Sequence, residues 1–253
     1  FFLILFPTFV FANLIGLNIS AAFKSVVTIY ILVPFLVVPQ LLLSGVIVDF
    51  DTLQSPENQG AETPVVADLM VARWAYEGLA VAQFKHNAYQ RHFFDIEMEK
   101  QESLYQFSLR MPKLQNINLQ CKRWLDNDEE SEKLEKQLQL LQREVAFTNQ
   151  FFALKFQQVD QLNRTDYSPL VADLLNAWLK EIERQYRLAW EQADDQLKKE
   201  KQVIANRAGI PDLEQLKDNH HNQKLEEHVK NSHELYKIRQ VEDRLVRKTD
   251  YIY

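Results

Sequence analysis

Ser25 to Val48 reads SVVTIYILVPFLVVPQLLLSGVIV, 24 residues without a charge. At ~1.5 Å per residue a helix of that length covers ~36 Å, enough to cross a hydrocarbon layer of ~30 Å with some tilt. The residues around it sharpen the contrast. Of 29 Lys+Arg and 35 Asp+Glu, only Lys24 falls between Phe1 and Val48. The first 48 residues therefore suit lipid, and the remainder suits water.

Phe1 to Leu17 is also apolar, but it is shorter and is interrupted by Pro7, Asn13 and Gly16. It reads as the end of a preceding span. A chain that opens inside an apolar run, without Met, is expected to be a piece of a longer protein. A cleaved leader would pass from a short apolar core to a small-residue cleavage site, whereas here the apolar character resumes after Lys24. Lys24 precedes the second span, and Asp49, Asp51, Glu57 and Glu62 follow it. By the positive-inside rule the Asn18 to Lys24 loop is then cytoplasmic and everything after Val48 lies outside. Pro34, Pro39 and Gln40 add polar groups that lipid cannot satisfy. They fit either packing kinks in a bundle or a pathway-lining face.

After the Gln54 to Pro64 loop, the apolar stretch Val65 to Phe84 carries Asp68, Arg73, Glu77 and Gly78. Those interruptions argue against a span. Arg73 and Glu77 are four apart and can pair on one helical face, while Trp74 and Tyr76 suit a membrane interface. The stretch is expected to dip into or lie on the outer interface, or else to be a buried helix of the water-exposed part.

Leu41 to Tyr89, LLLSGVIVDFDTL and then ARWAYEGLAVAQFKHNAY, resembles the ABCG or White-type ABC transporters, whose membrane part is an ABC-2 type permease. The resemblance rests on Ser44-Gly45-Val46-Ile47 and on Arg73-Trp74-Ala75-Tyr76 with Gln83-Phe84. It extends over roughly Ala12 to Tyr89. It implies that residues 1–17 end the fourth transmembrane helix and residues 25–48 form the fifth. It further implies an apolar plug at Val46 and Ile47, with Pro34, Val38 and Leu41 nearest the pathway. A re-entrant helix would carry Arg73, Trp74, Tyr76, Glu77, Gln83 and Phe84. Bulky apolar side chains can gate by excluding water, and the same residues equally fit packing against lipid. The implied partners are the lipid bilayer, a second transporter half in a homodimer or heterodimer, and a nucleotide-binding domain in the parent chain or a partner. ATP and Mg would bind there, because five glycines at 16, 45, 60, 78 and 209 leave no phosphate loop in this chain. Eukaryotic relatives carry cysteines in a compact external domain. A lone Cys121 followed by long charged helices looks bacterial, with a cell (inner) membrane location and a periplasmic domain.

The remainder, residues 91–253, is sparse in Pro and Gly, which predicts long helices and an all-α fold. From Asp128 to Leu162, Leu134, Leu138, Leu141, Val145, Phe152, Val159 and Leu162 recur at heptad spacing, a coiled-coil seam. Ser168-Pro169 starts a second helix that Gly209 and Pro211 stop. In it Val171, Ile182, Ala193 and Ile204 repeat every eleven residues, which favours a straight helix. The two helices, spanning 128–208, are expected to pair as an antiparallel hairpin, with a further helix over 211–248.

No active site is legible. His220, His221, His228 and His233 lack metal-type spacing and read as a solvated helical face. The carboxylates of Asp126 to Glu135 and Asp194-Asp195 read as charged surface. A net charge of −6 gives no footprint for nucleic acid. Against the exporter stands a second reading, a membrane-anchored external coiled-coil scaffold without transport activity. A third, a sensor, would need a cytoplasmic signalling domain.

Overall fold

The computed structural model describes residues 1–42, 44, 68–125, 131–207, 213–230, 238–241 and 244–247. The chain divides into two compact units. One comprises Phe1–Arg91 with Leu216–Asn231, the other His92–Gln215 with Ser232–Tyr251. Apart from a small ribbon, the described elements are helical.

In the first unit α1 runs Phe2–Ala22 and α2 runs Val26–Leu42. Helix α1 covers ~32 Å and is long and apolar enough to cross a membrane. It extends past the expected end at Leu17, because Gly16 and Asn18 sit within the helix. Asn18 Nδ2 donates to Leu14 O at 2.8 Å, as Thr8 Oγ1 does to Ile4 O at 2.8 Å. These back-bonds satisfy polar side chains inside the helix itself, as lipid demands. Helix α2 is apolar over Val26–Leu42, part of the span expected over residues 25–48. Residues 45–48 lie outside the described residues. No residue of α1 or α2 is buried, and Phe2, Phe9, Tyr30 and Phe35 are all exposed. Such surfaces are unfavourable in water and neutral in lipid. Helix α3, Val71–Lys85, packs against both α1 and α2.

The second unit is built on a helix that the sequence pattern did not reveal. Helix α4, Phe94–Tyr105, runs through a π-helical turn, Gln106–Arg110, into α5, Met111–Trp124. Pro112 explains the turn. It has no N–H to return to the Ser108 carbonyl, so the ladder widens just ahead of it and Met111 N bonds Gln106 O. Helix α6 is Ser131–Thr148, and α7 is Pro169–Ala205. Ser168 caps α7 by accepting from Val171 N, with Pro169 in the first turn. Val171, Ile182, Ala193 and Ile204 are all buried, as an eleven-residue period requires of one face.

Three expectations need correction. The helix expected from Asp128 to Leu162 stops at Thr148, where the Asn149 side chain closes a loop by bonding Phe156 N and Phe156 O at 2.9 and 3.0 Å. Phe156 and Leu162 reach the core from that loop instead of from a helix. Helix α7 packs chiefly on α4 and α5, and α6 packs on α5, so the main pairing is not an α6–α7 hairpin. The 31-residue rod from Phe94 to Trp124 offers α7 a longer apolar face than α6 can. Lastly, residues 211–248 do not form one helix. Helices α8, Leu213–His220, and α9, Gln223–Lys230, are followed by an antiparallel ribbon of β1, Ile238–Val241, and β2, Arg244–Arg247, with Ile238 opposite Arg247. Ile238, Val241 and Val246 are β-branched and suit strands. Leu245 is buried in the second unit's core.

Candidate functional site

Among the described residues, the arrangement in the first unit that carries the expected site is the junction of α1, α2 and α3. It is built around one close approach. A methyl group at Gly78 of α3 would lie 3.1 Å from Ile4 Cδ1 of α1, so the two helices meet closely there and an added side chain would need the flexible end of Ile4 to give way. Along the same junction runs an apolar groove of about 200 Å³. Ile15, Gly16 and Ile19 of α1, Val33 and Val37 of α2, and Ala72 of α3 are among its walls. Thr8 and Gln40 are its polar side chains, and the Thr8 hydroxyl is already bonded within α1.

The Arg73 to Phe84 motif lies along α3. The Arg73 guanidinium pairs closely with Asp68 and approaches Glu77 at 4.0 Å. It also lies 4.9 Å from the centre of the Trp74 ring, whose Nε1 donates to Asp68 O at 2.9 Å. The spacing of four pointed to Glu77. The nearer carboxylate precedes the helix, so Asp68, Arg73 and Trp74 form one knot at its entry. Trp74 is exposed, Tyr76 half-buried, Gln83 exposed and Phe84 buried.

Asn87 finishes α3, a role the sequence reading missed. Its Nδ2 donates to Gln83 O and Phe84 O at 3.0 and 2.8 Å, covering carbonyls that a helix end leaves open. Its Oδ1 accepts from Tyr89 N and Gln90 N at 3.0 and 2.7 Å, folding the next residues back. An Asn two places beyond the last helical residue was the available signal.

Pro34, Val38 and Leu41 share one face of α2 and are exposed. The groove is lined by the neighbouring face, Val33, Leu36, Val37 and Gln40, so the pathway candidates and the groove are separate surfaces. Prolines 34 and 39 cannot donate to the carbonyls of Tyr30 and Phe35, so α2 forgoes two of its backbone hydrogen bonds. Ser44 Oγ donates to Leu41 O at 2.8 Å, closing the end of α2. Val46 and Ile47, the expected plug, lie outside the described residues.

His221 departs most from expectation. It does not lie on a solvated face, since its side chain is only 3% exposed. Its ring lies 5.6 Å from that of Tyr89 and 6.5 Å from that of Phe84. His220 is exposed, and nothing is described of the side chains of His228 and His233. No group of three or more His, Cys, Asp or Glu that could hold a metal occurs among the described residues.

Residues 1–84 match the family model for the ABC-2 type transporter, which supports an ABC-2 type permease domain over that stretch. The matched stretch takes in α1, α2 and nearly all of α3. No curated protein and no solved structure matches the chain.

Proposed function

We propose, taking residues 1–84 as an ABC-2 type permease domain, that this chain is the membrane-spanning part of an ABCG-like exporter driven by ATP hydrolysis at a nucleotide-binding domain in the parent chain or in a partner. The observation that carries the reading is that one family match runs continuously through a bilayer-length apolar helix, a second apolar helix and the α3 motif packed on both. An anchor for a scaffold needs one span and no such junction. In this reading two transporter halves pair in the cell (inner) membrane, with the Pro34, Val38, Leu41 face of α2 and the Val46-Ile47 plug toward the pathway. The residues beyond about 48 are periplasmic, and the substrate is apolar or amphipathic, because an apolar passage cannot replace the hydration of a charged solute.

The test is reconstitution of the full transporter, with its nucleotide-binding domain, in liposomes. ATP-dependent transfer of a fluorescent amphiphile is the expected result. Val38→Lys is expected to abolish transfer while leaving assembly intact, and Leu3→Lys on an exposed face of α1 is the membrane-facing control. If the chain assembles with no nucleotide-binding domain and no ATP-dependent transfer occurs, the scaffold reading stands instead. A cysteine at Lys24 labelling from the cytoplasmic side and one at Lys113 from the outside checks the orientation.

A further inference from the structure

The elbow between α8 and α9 is seated on the end of α3, and three observations make it more than a packing contact. First, Asn222 Oδ1 accepts from Leu225 N at 3.1 Å, and Glu226 N bonds Asn222 O at 3.0 Å. Asn222 thus starts α9 one residue after His221 and sets Glu226 one turn ahead. His221 Nε2 then donates to Glu226 Oε2 at 2.7 Å, because a carboxylate only accepts. The elbow holds its own charge-assisted bond and presents the ring to Phe84 and Tyr89.

Second, the position along the chain is particular. The backbone leaves the first unit after Arg91 and re-enters it at Leu216. Tyr89 is two residues before the exit and His221 five residues after the re-entry. Their contact ties the two passages together on the first unit's side, at the end of the helix that bears the Arg73 to Phe84 motif.

Third, the contact is not maximally stable. His221 Nδ1 is buried and has no hydrogen-bond partner among the described residues. An unpartnered buried nitrogen offsets part of what the aromatic contacts and the carboxylate bond contribute, whereas an apolar side chain would lack that penalty. Helices α8 and α9 are eight residues each, too short to persist undocked in water. An uncompensated buried nitrogen, on two short elements that depend on being docked, is the combination that a reversible device uses.

We propose that the His221 elbow is a latch on the C-terminal end of α3, seated in the state described and released when α3 moves. Phe84 and Tyr89 are its keeper, and the Glu226 carboxylate holds the ring in the orientation that fits them. The inference stands on this geometry and does not depend on transport.

Amide hydrogen exchange on the full chain, in a membrane mimetic, tests it. His221→Ala is expected to raise exchange in residues 79–91 and 213–230 together, by roughly tenfold or more, the scale of losing a part-buried charge-assisted hydrogen bond together with the ring contacts. Glu226→Gln, which keeps the ring, is expected to raise the same two segments by less. His220→Ala, on the exposed neighbour, is expected to leave both unchanged. A rise confined to 213–230, with 79–91 as protected as in the parent, overturns the latch, since the elbow would then rest on α3 without holding it. So does no rise in either. If His221→Ala fails to fold, Glu226→Gln and Tyr89→Leu give the same readout.

Discussion

Arg110 Nη2 meets Glu144 Oε2 at 2.6 Å, with the two side chains only 4% and 8% exposed. Arg110 Nε donates to the same oxygen at 2.9 Å, and Arg110 Nη1 donates to Gln106 Oε1 at 3.0 Å. The other carboxylate oxygen accepts from Leu245 N at 2.9 Å. The π-helical turn that carries Arg110, helix α6 and the C-terminal ribbon therefore converge on one carboxylate.

Removing one partner of a buried pair leaves the other charge stranded, which costs about 3–5 kcal/mol, whereas replacing both by apolar groups of similar volume is often near neutral. Glu144→Ala is expected to lower the unfolding free energy of the full chain by that amount. The double variant Arg110→Met with Glu144→Leu should recover most of the loss. Urea titration followed by tryptophan fluorescence measures both. Equal losses in the single and double variants would show that the charges are not coupled.

The Gly78–Ile4 approach makes a second prediction. In a helix interior glycine is less favourable than alanine by roughly 0.5–1 kcal/mol, so its presence here needs a packing reason. The atom it meets is the far end of a flexible side chain. Gly78→Ala should consequently change thermal stability little, because Ile4 can turn aside. Gly78→Leu cannot be accommodated that way and should cost about 1–3 kcal/mol by overpacking. Adding Ile4→Ala to Gly78→Leu should return part of it. Melting of the parent and the three variants in one detergent decides.

The apolar character of the first two helices, the Ser168 cap and the eleven-residue face of α7 are readable in the sequence because each depends on residues within a few turns of itself. Lys24 as the sole charge in 48 residues needs no tertiary knowledge. What is unreadable depends on distant partners. Heptad spacing beyond Thr148 looks helical, yet the apolar side chains are buried from a loop that Asn149 closes, and nothing local separates the two outcomes. Arg73 has one carboxylate at helical spacing and a nearer one at Asp68, before the helix. His221 carries no pattern at all. Its burial comes from Phe84 and Tyr89, more than 130 residues earlier.

Acid should unlock a tertiary ion pair on α7. Lys100 and Lys198 reach Asp194 at 2.5 and 2.6 Å and, by hydrogen bonding above all, hold its carboxyl down at about 2, below the ordinary 3.8. A lowered carboxyl stabilises the fold above the unfolded value. The contribution is whole above about pH 4 and disappears as the pH falls toward 2. Asp194→Asn should therefore melt lower than the parent at pH 6 and converge with it near pH 2. Lys198 is one turn away on the same helix, whereas Lys100 belongs to α4, so Lys100→Met should reproduce part of the effect and identify the tertiary share.

Cys121 offers a readout confined to the second unit. Its side chain is fully buried in the core among α5, α6 and α7, and desolvation pushes the thiol up to about 12. The reactive species is the thiolate, so a buried and protonated sulfur is doubly protected at pH 8. Because it is the chain's single cysteine, maleimide labelling should be negligible in the folded protein and should report opening of that unit alone. Leu138→Ala, a deletion at a fully buried position of α6, typically costs 2–5 kcal/mol and should accelerate labelling steeply. His221→Ala acts on the first unit and should leave the labelling rate unchanged. A rate raised equally by both substitutions would mean that the two units open as one.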